Sequence, residues 1–242
     1  MTVKIFNNSL FSKNAMLYMY PTEDPDQKLT PGAKIAARVA CILDAAGIWN
    51  LLWGWVAISL IGVNEGIPDI EFLVSDEQVI QAKDALVNAG HRLCQDLSCP
   101  ELSVDRAREA FRNTGHVLPS RSQYHIVPDY HFHHGPSATV SLLCKSYILW
   151  WMEDDVIDRL EPGGPDVMLS TDGDELSPAD EMGPTGPWVD IHPVRLLSRG
   201  TFLRALVHLV KEDEGDENGD SIHLLWKFMI HSLRVVRDVR FE

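Results

Sequence analysis

The sequence predicts a mixed α/β (α+β) fold, a sheet flanked by helices, and three stretches of the chain carry that prediction. The first is Ile48 to Val63, sixteen residues that are apolar except at Asn50 and Ser59, with Gly54 in their middle. That run is short for a membrane span, so it reads as a buried strand, a tight glycine turn and a short apolar helix. The second is Asp69 to Val74, a strand followed by Ser75-Asp76-Glu77-Gln78, a capping box in outline. The helix it opens runs through Val79, Ile80, Ala82, Ala85 and Leu86 and is closed by Gly90. The third is Tyr124 to His134, two alternating runs around Pro128, with a further strand from Ala138 continuing to Leu149 and Trp150.

The other elements follow in order. Residues 1–30 are polar and rich in turn formers and read as a peripheral arm; 31–242 read as a single domain. Thr30-Pro31-Gly32 opens a helix with Thr30 at its cap and Pro31 where a missing N–H costs nothing. Ile35, Val39, Ile42, Leu43 and Ala46 recur at helical spacing until Gly47 stops them. A short strand at His91–Leu97, a Cys/Pro turn and a helix over Val104–Arg112 are expected next. Residues 153–187, with five prolines and five glycines, read as a loop insertion, either a lid or a disordered decoration. Trp188 to Val194 reads as a strand, and Arg199 to Lys211 as a helix with Phe202, Leu203, Leu206, Leu209 and Val210 inward. After an acidic loop at 212–220, a last helix over Ile222–Val236 is expected to bury Leu225, Phe228, Met229 and Leu233. Trp49, Trp53, Trp150 and Trp151 are read as core residues.

Composition narrows the function classes. A chain of 242 residues with 45% apolar content is long enough for one self-sufficient core. A net charge of −14 argues against a nucleic-acid partner, although Arg195, Arg199, Arg204 and Lys211 make a local basic patch. Cys41, Cys94, Cys99 and Cys144 show no repeated Cys-x-x-Cys spacing. The four residues between Cys94 and Cys99 are loose for a zinc knuckle, so reduced thiols in the cytoplasm are the simple reading. The first eleven residues lack a signal peptide's apolar core, and no membrane partner is expected.

The chemistry starts from Asp69 and Glu71. In a strand they point to one face while Ile70 and Phe72 enter the core. Two carboxylates side by side raise each other's pKa unless a cation lies between them, and Mg²⁺ suits such a pair together with substrate phosphates. The plain structural alternative is a solvated acidic edge. Trp53-Gly54-Trp55, thirteen further residues and then Asp69-Ile70-Glu71-Phe72 resemble the signature of the nucleotidyltransferase-fold (DNA polymerase β-like) superfamily. The helix after Gly54 is most similar to that of abortive-infection toxin-type nucleotidyltransferases. The chain also resembles a group of uncharacterised fungal proteins, on Ile48 to Trp55, on Pro128 with His131-Phe132-His133, and on Leu149-Trp150. The resemblance covers roughly residues 33–210.

The resemblance implies a nucleotidyltransferase-like mixed sheet in which Asp69 and Glu71 are catalytic and bind Mg²⁺. It implies that Gly54 and Trp55 hold the phosphates of a nucleoside triphosphate substrate. The reaction would be nucleotidyl transfer to a small molecule or a protein, by two-metal logic with a third carboxylate on a neighbouring strand. Three departures stand against it. Trp55 replaces a small turn residue, the strand from Ala138 to Lys145 has no carboxylate, and Lys145 falls near the third-carboxylate position, leaving Asp129 or Asp190 as substitutes.

His131 and His133 offer a second chemistry. On one strand face, with His125 or His134 nearby, they are candidate catalytic acid/base residues, or transition-metal ligands together with Asp69 or Glu71. The structural alternative is a sheet edge whose histidines hydrogen-bond backbone or solvent. The Asp-Asp-x-x-Asp string at 154–158 is followed at once by Pro162, Gly163 and Gly164 and reads as coincidence. The competing functions are therefore a metal-independent enzyme of fungal secondary metabolism acting on a small organic substrate, and a non-catalytic binding protein.

Overall fold

Helix α1 (Pro31–Ala45) ends as its sequence dictates. Gly47 takes φ +69°, its N–H bonds the Asp44 carbonyl at 3.0 Å, and the Ile48 N–H bonds the Leu43 carbonyl at 2.9 Å. That double closure satisfies the last carbonyls of the helix and turns the chain into the sheet. The computed structural model describes residues 31–62, 69–96, 99, 128–134, 138–152, 163–173, 176, 186–213 and 226–233. The arm at 1–30, the run 124–127 with His125, the helix expected at 104–112 and the acidic string at 154–158 lie outside them.

Strand β1 (Asn50–Trp53) follows, then α2 (Gly54–Ile61), β2 (Asp69–Val74), a 3₁₀ turn at Asp76–Gln78 and α3 (Val79–Asn88). Beyond these come β3 (Tyr130–His134), β4 (Ala138–Cys144), α4 (Ser146–Leu149), β5 (Val167–Leu169), β6 (Arg195–Leu197) and α5 (Arg199–Asp213), with a further helical stretch at 226–233. The strands form one mixed sheet in the order β3-β4-β2-β1-β6-β5. β1 runs antiparallel to β2 and parallel to β6, β2 parallel to β4, β3 antiparallel to β4, and β5 antiparallel to β6. The α/β class is observed, and so is the strand–turn–helix over the described residues 48–62.

Asp44 anchors α1 to the sheet. Its carboxylate accepts from Asn50 Nδ2 at 2.8 Å, His192 Nε2 at 2.8 Å and Arg195 at 2.6 Å. Burial pushes this carboxyl up, but the bonds from His192, Arg195 and Asn50 outweigh it and hold the group below the usual range. On the other face, Trp53 is fully buried, stacks on Phe202 of α5 at 4.2 Å between ring centroids, and meets Trp226 edge-on at 6.5 Å. Such aromatic pairs add roughly 0.5–1.5 kcal/mol beyond their buried area.

Several sequence expectations need correction. Ser75 makes no side-chain cap; Gln78 instead accepts from the Trp49 N–H at 3.1 Å and donates to the Gly47 carbonyl at 3.3 Å, tying α3 to the start of β1. The strand from Ala138 stops at Cys144, because Lys145 is already helical (φ −55°, ψ −34°), and Trp150 is exposed. Inside the segment read as a loop insertion, Val167–Leu169 is the edge strand β5. Its partner is Arg195–Leu197, not the Trp188–Val194 run expected as a strand. Asp190 breaks that run with φ 63°. Phe228 and Ile80 point outward, whereas Met229, Leu233, Ala82 and Leu86 are buried as expected. Three of the four basic side chains of the patch hold the fold: Arg195 bonds Asp44, Arg199 the Leu233 carbonyl, and Arg204 Asp166.

Candidate functional site

The strand registers assemble one polar strip. Glu71 lies opposite Trp53 on β1 and Ser141 on β4, and Ser141 lies opposite His131 on β3. One row along, Asp69 lies opposite Thr139, and Thr139 opposite His133. Directly paired residues share a face of the sheet. Two carboxylates, two hydroxyls and two imidazoles therefore cross β2, β4 and β3 on the face that carries Trp53. Two strand spacings separate β2 from β3, about 10 Å. Asp69, Thr139, Ser141 and His131 are buried, and the Thr139 hydroxyl donates to Asp69 Oδ1 at 3.1 Å.

Gly54 and Glu71 are locked together. Gly54 opens α2 with φ +71°, a conformation that disfavours any side chain. A Cβ built there would lie 2.0 Å from Glu71 Oε2, so the carboxylate already fills the space a side chain would need. Glu71 thus sits against the first residue of α2, where the positive end of the helix favours an anion. Trp55 is half-buried and packs against the core cluster.

The expected substitutes for a third carboxylate are elsewhere. On this face the strands beside β2 present Leu51 and Trp53 from β1, and Thr139, Ser141 and Leu143 from β4. Asp129 accepts from the Cys144 N–H at 2.9 Å and the Tyr147 hydroxyl at 3.2 Å, tying the start of β3 to the end of β4. Asp190 is an exposed turn residue. Lys145 follows Cys144, which pairs with Val74 at the far end of β2 from Asp69. It lies four positions on from Ser141, about 13 Å along the strand, so it does not stand in for the third acid.

His131 and His133 meet sulfur rather than the carboxylates proposed for them. Cys99 Sγ is 3.2 Å from His131 Nε2 and 3.6 Å from His133 Nε2. Cys94, Cys99, His131 and His133 each bring one donor atom into a group whose members all lie within 4.8 Å of one another. Cys99 and His131 are buried and His133 is exposed. An open groove of about 840 Å³, lined in part by Arg92, Cys94, Asp96 and His133, reaches the exposed side.

Backbone pairing explains how the thiols arrive. Leu93 bridges Phe132 in antiparallel sense, and the Cys94 N–H donates to the His131 carbonyl at 3.0 Å. The chain from His91 onward therefore lies along β3. His134 alternates to the opposite face, where its Nε2 is 2.9 Å from His91 Nδ1. Burial, with His134 and the Arg38 charge nearby, pushes His91 down to about 4. Burial and Arg38 lower His134 as well. His134 is thus no partner of His131 and His133.

Sequence reasoning sets Cys94 and Cys99 aside as too loosely spaced for a metal pair. Four intervening residues are the long end of ordinary ligand spacing, and a His-x-His strand puts both rings on one face. Those two signals sit about thirty residues apart, and only the pairing of 93–94 with β3 joins them. Compared with protein-family models, with curated proteins and with solved structures, the chain matches none.

Proposed function

We propose that this chain is a nucleotidyltransferase-like transferase, binding a nucleoside triphosphate with Mg²⁺ over Gly54, Trp55, Asp69 and Glu71 and passing a nucleotidyl group to a small molecule or protein. One observation carries the reading: Asp69 and Glu71 project from one buried strand face, with the Glu71 carboxylate against Gly54 where α2 begins. A helix amino terminus beside two carboxylates suits a phosphate that arrives with its cation. Mg²⁺ takes one or two carboxylates and completes its shell with phosphates and water. The donor set therefore fits one ion carried largely by the nucleotide, and a bound ion would neutralise phosphate charge. Thr139 fixes the Asp69 carboxylate through its hydroxyl bond.

A second reading, a non-catalytic nucleotide-binding protein, is favoured by the lack of a third carboxylate on the strands flanking β2. The metal-independent alternative loses support, because both Nε2 atoms it would use lie beside Cys99. We place the protein in the cytoplasm, where its thiols stay reduced. No helix among the described residues is long and apolar enough to cross a membrane.

Isothermal titration with ATP, GTP, CTP and UTP, with and without Mg²⁺, tests the site. The expected result is metal-dependent binding of at least one nucleotide that disappears in Glu71→Gln. No binding of any of the four overturns the reading. Pyrophosphate release in the presence of acceptors separates the transferase from the binding protein.

A further inference from the structure

We propose that Cys94, Cys99, His131 and His133 hold one zinc ion, a structural site that clamps the 91–99 segment around the edge strand β3. The proposal goes beyond the nucleotide site and does not depend on it.

The chemistry of the donors selects the metal. Two thiolates and two imidazoles form the soft, four-ligand set that Zn²⁺ takes in closed tetrahedral sites. Zinc–sulfur bonds of about 2.3 Å and zinc–nitrogen bonds of about 2.0–2.1 Å place tetrahedral ligands roughly 3.3–3.8 Å apart. The two Cys99–histidine separations, 3.2 and 3.6 Å, lie close to that spacing, and the widest pair needs to close by no more than about 1.5 Å. Hydrogen bonds would join these groups only in pairs, whereas one cation accepts a lone pair from all four donors at once.

The site is also placed where a clamp has a purpose. β3 ends the sheet, and an edge strand needs covering. The segment wraps it on both faces: His91 meets His134 on one, Leu93 and Cys94 pair with the strand's backbone, and Cys94 and Cys99 meet His131 and His133 on the other. Four protein ligands leave no open position, so the role is structural rather than Lewis-acid catalysis. Binding converts two thiols to thiolates and releases two protons, with no change in oxidation state. The groove beside Cys94 and His133 gives the ion an entry path.

The test uses the full chain, purified reduced and desalted, with zinc measured by elemental mass spectrometry. One zinc per chain is expected. Replacing it with Co²⁺ should give the intense visible bands of a tetrahedral site and a thiolate-to-cobalt charge-transfer band. His133→Ala changes an exposed residue and should leave the fold intact, yet lower zinc affinity by more than the roughly 100-fold that loss of an outer-shell partner costs. Cys41→Ser removes an exposed thiol on α1 and should leave zinc content unchanged. The proposal is overturned if the reduced chain takes up neither metal, if His133→Ala binds zinc as tightly as the parent, or if Cys94 and Cys99 form a disulfide in a metal-free chain under reducing conditions.

Discussion

The carboxylates of β2 and the sulfur–imidazole cluster at β3 share one face of one sheet, yet they are built in opposite ways. Gly54, Asp69 and Glu71 come from eighteen consecutive residues, and the β1–β2 pairing that brings Glu71 onto Gly54 closes a short local excursion. The edge cluster needs Cys94 and Cys99 to meet a strand more than thirty residues away. The first region is held by covalent proximity, a positive-φ glycine and core packing. The second is held by one backbone bridge, a histidine pair and, as proposed here, a metal. The difference teaches that adjacent sites on a sheet can have separate sources of stability.

Removing zinc tests that separation with the largest expected effect. A ligand present at a thousand times its Kd stabilises the folded chain by about 4 kcal/mol. Chelation should therefore lower the melting temperature and expose the Cys94 amide to hydrogen exchange while β2 amides stay protected. Equal loss of protection on β2 would show that the two regions open as one unit.

Gly54→Ala addresses the other region. Left-handed backbone costs a non-glycine residue about 1–2 kcal/mol, whereas the Glu71 carboxylate is the far end of a flexible side chain and moves aside at small cost. Urea denaturation should show a loss of about 1–2 kcal/mol with zinc content unchanged. Adding Glu71→Ala should recover little of that loss, because the backbone share remains. Full recovery would mean that the φ of Gly54 is not required.

These contrasts explain what the sequence made legible. The α/β class, α1 with its glycine stop, the strand–turn–helix at 48–61 and the shared face of Asp69 and Glu71 all rest on local periodicity and glycine chemistry. So does the shared face of His131 and His133. The short strands β5 and β6 were not legible, because three residues carry no period and their pairing sets the assignment. Lys145 was misplaced because the register of β4 on β2 cannot be read from either strand alone. Cys94 and Cys99, weighed alone, are set aside for the same reason, since their contact with β3 joins distant segments and is decided by pairing.

Acid should loosen the edge next. His91 titrates near 4 in the folded chain against an ordinary 6.5, and His134 is lowered too, so the unfolded chain takes up protons first. Their contribution is fully present above about 6.5 and is lost as pH falls toward 4. Among the described residues His91 Nε2 is buried without a hydrogen-bond partner, so a second ring proton would have no acceptor there. Hydrogen exchange at Leu93 and Cys94 in zinc-free protein should rise through that window, and His91→Gln should flatten the rise. A profile unchanged by His91→Gln would remove the histidine pair from the account.

The smallest effect on stability, Glu71→Gln, sharpens the comparison most for function. Glutamine keeps the shape that fills the space over Gly54 and removes only the negative charge at the start of α2, an interaction of roughly 0.3–1 kcal/mol. Denaturation should therefore change by no more than about 1 kcal/mol, and zinc should stay bound. Mg²⁺-dependent nucleotide binding should nonetheless vanish, because the ion needs the carboxylate charge and not its outline. On the proposed reading, shape sustains the fold in this region and charge would sustain the chemistry. A Glu71→Gln chain that binds nucleotide as well as its parent would reduce the carboxylate to a packing element, and with it the case for a transferase.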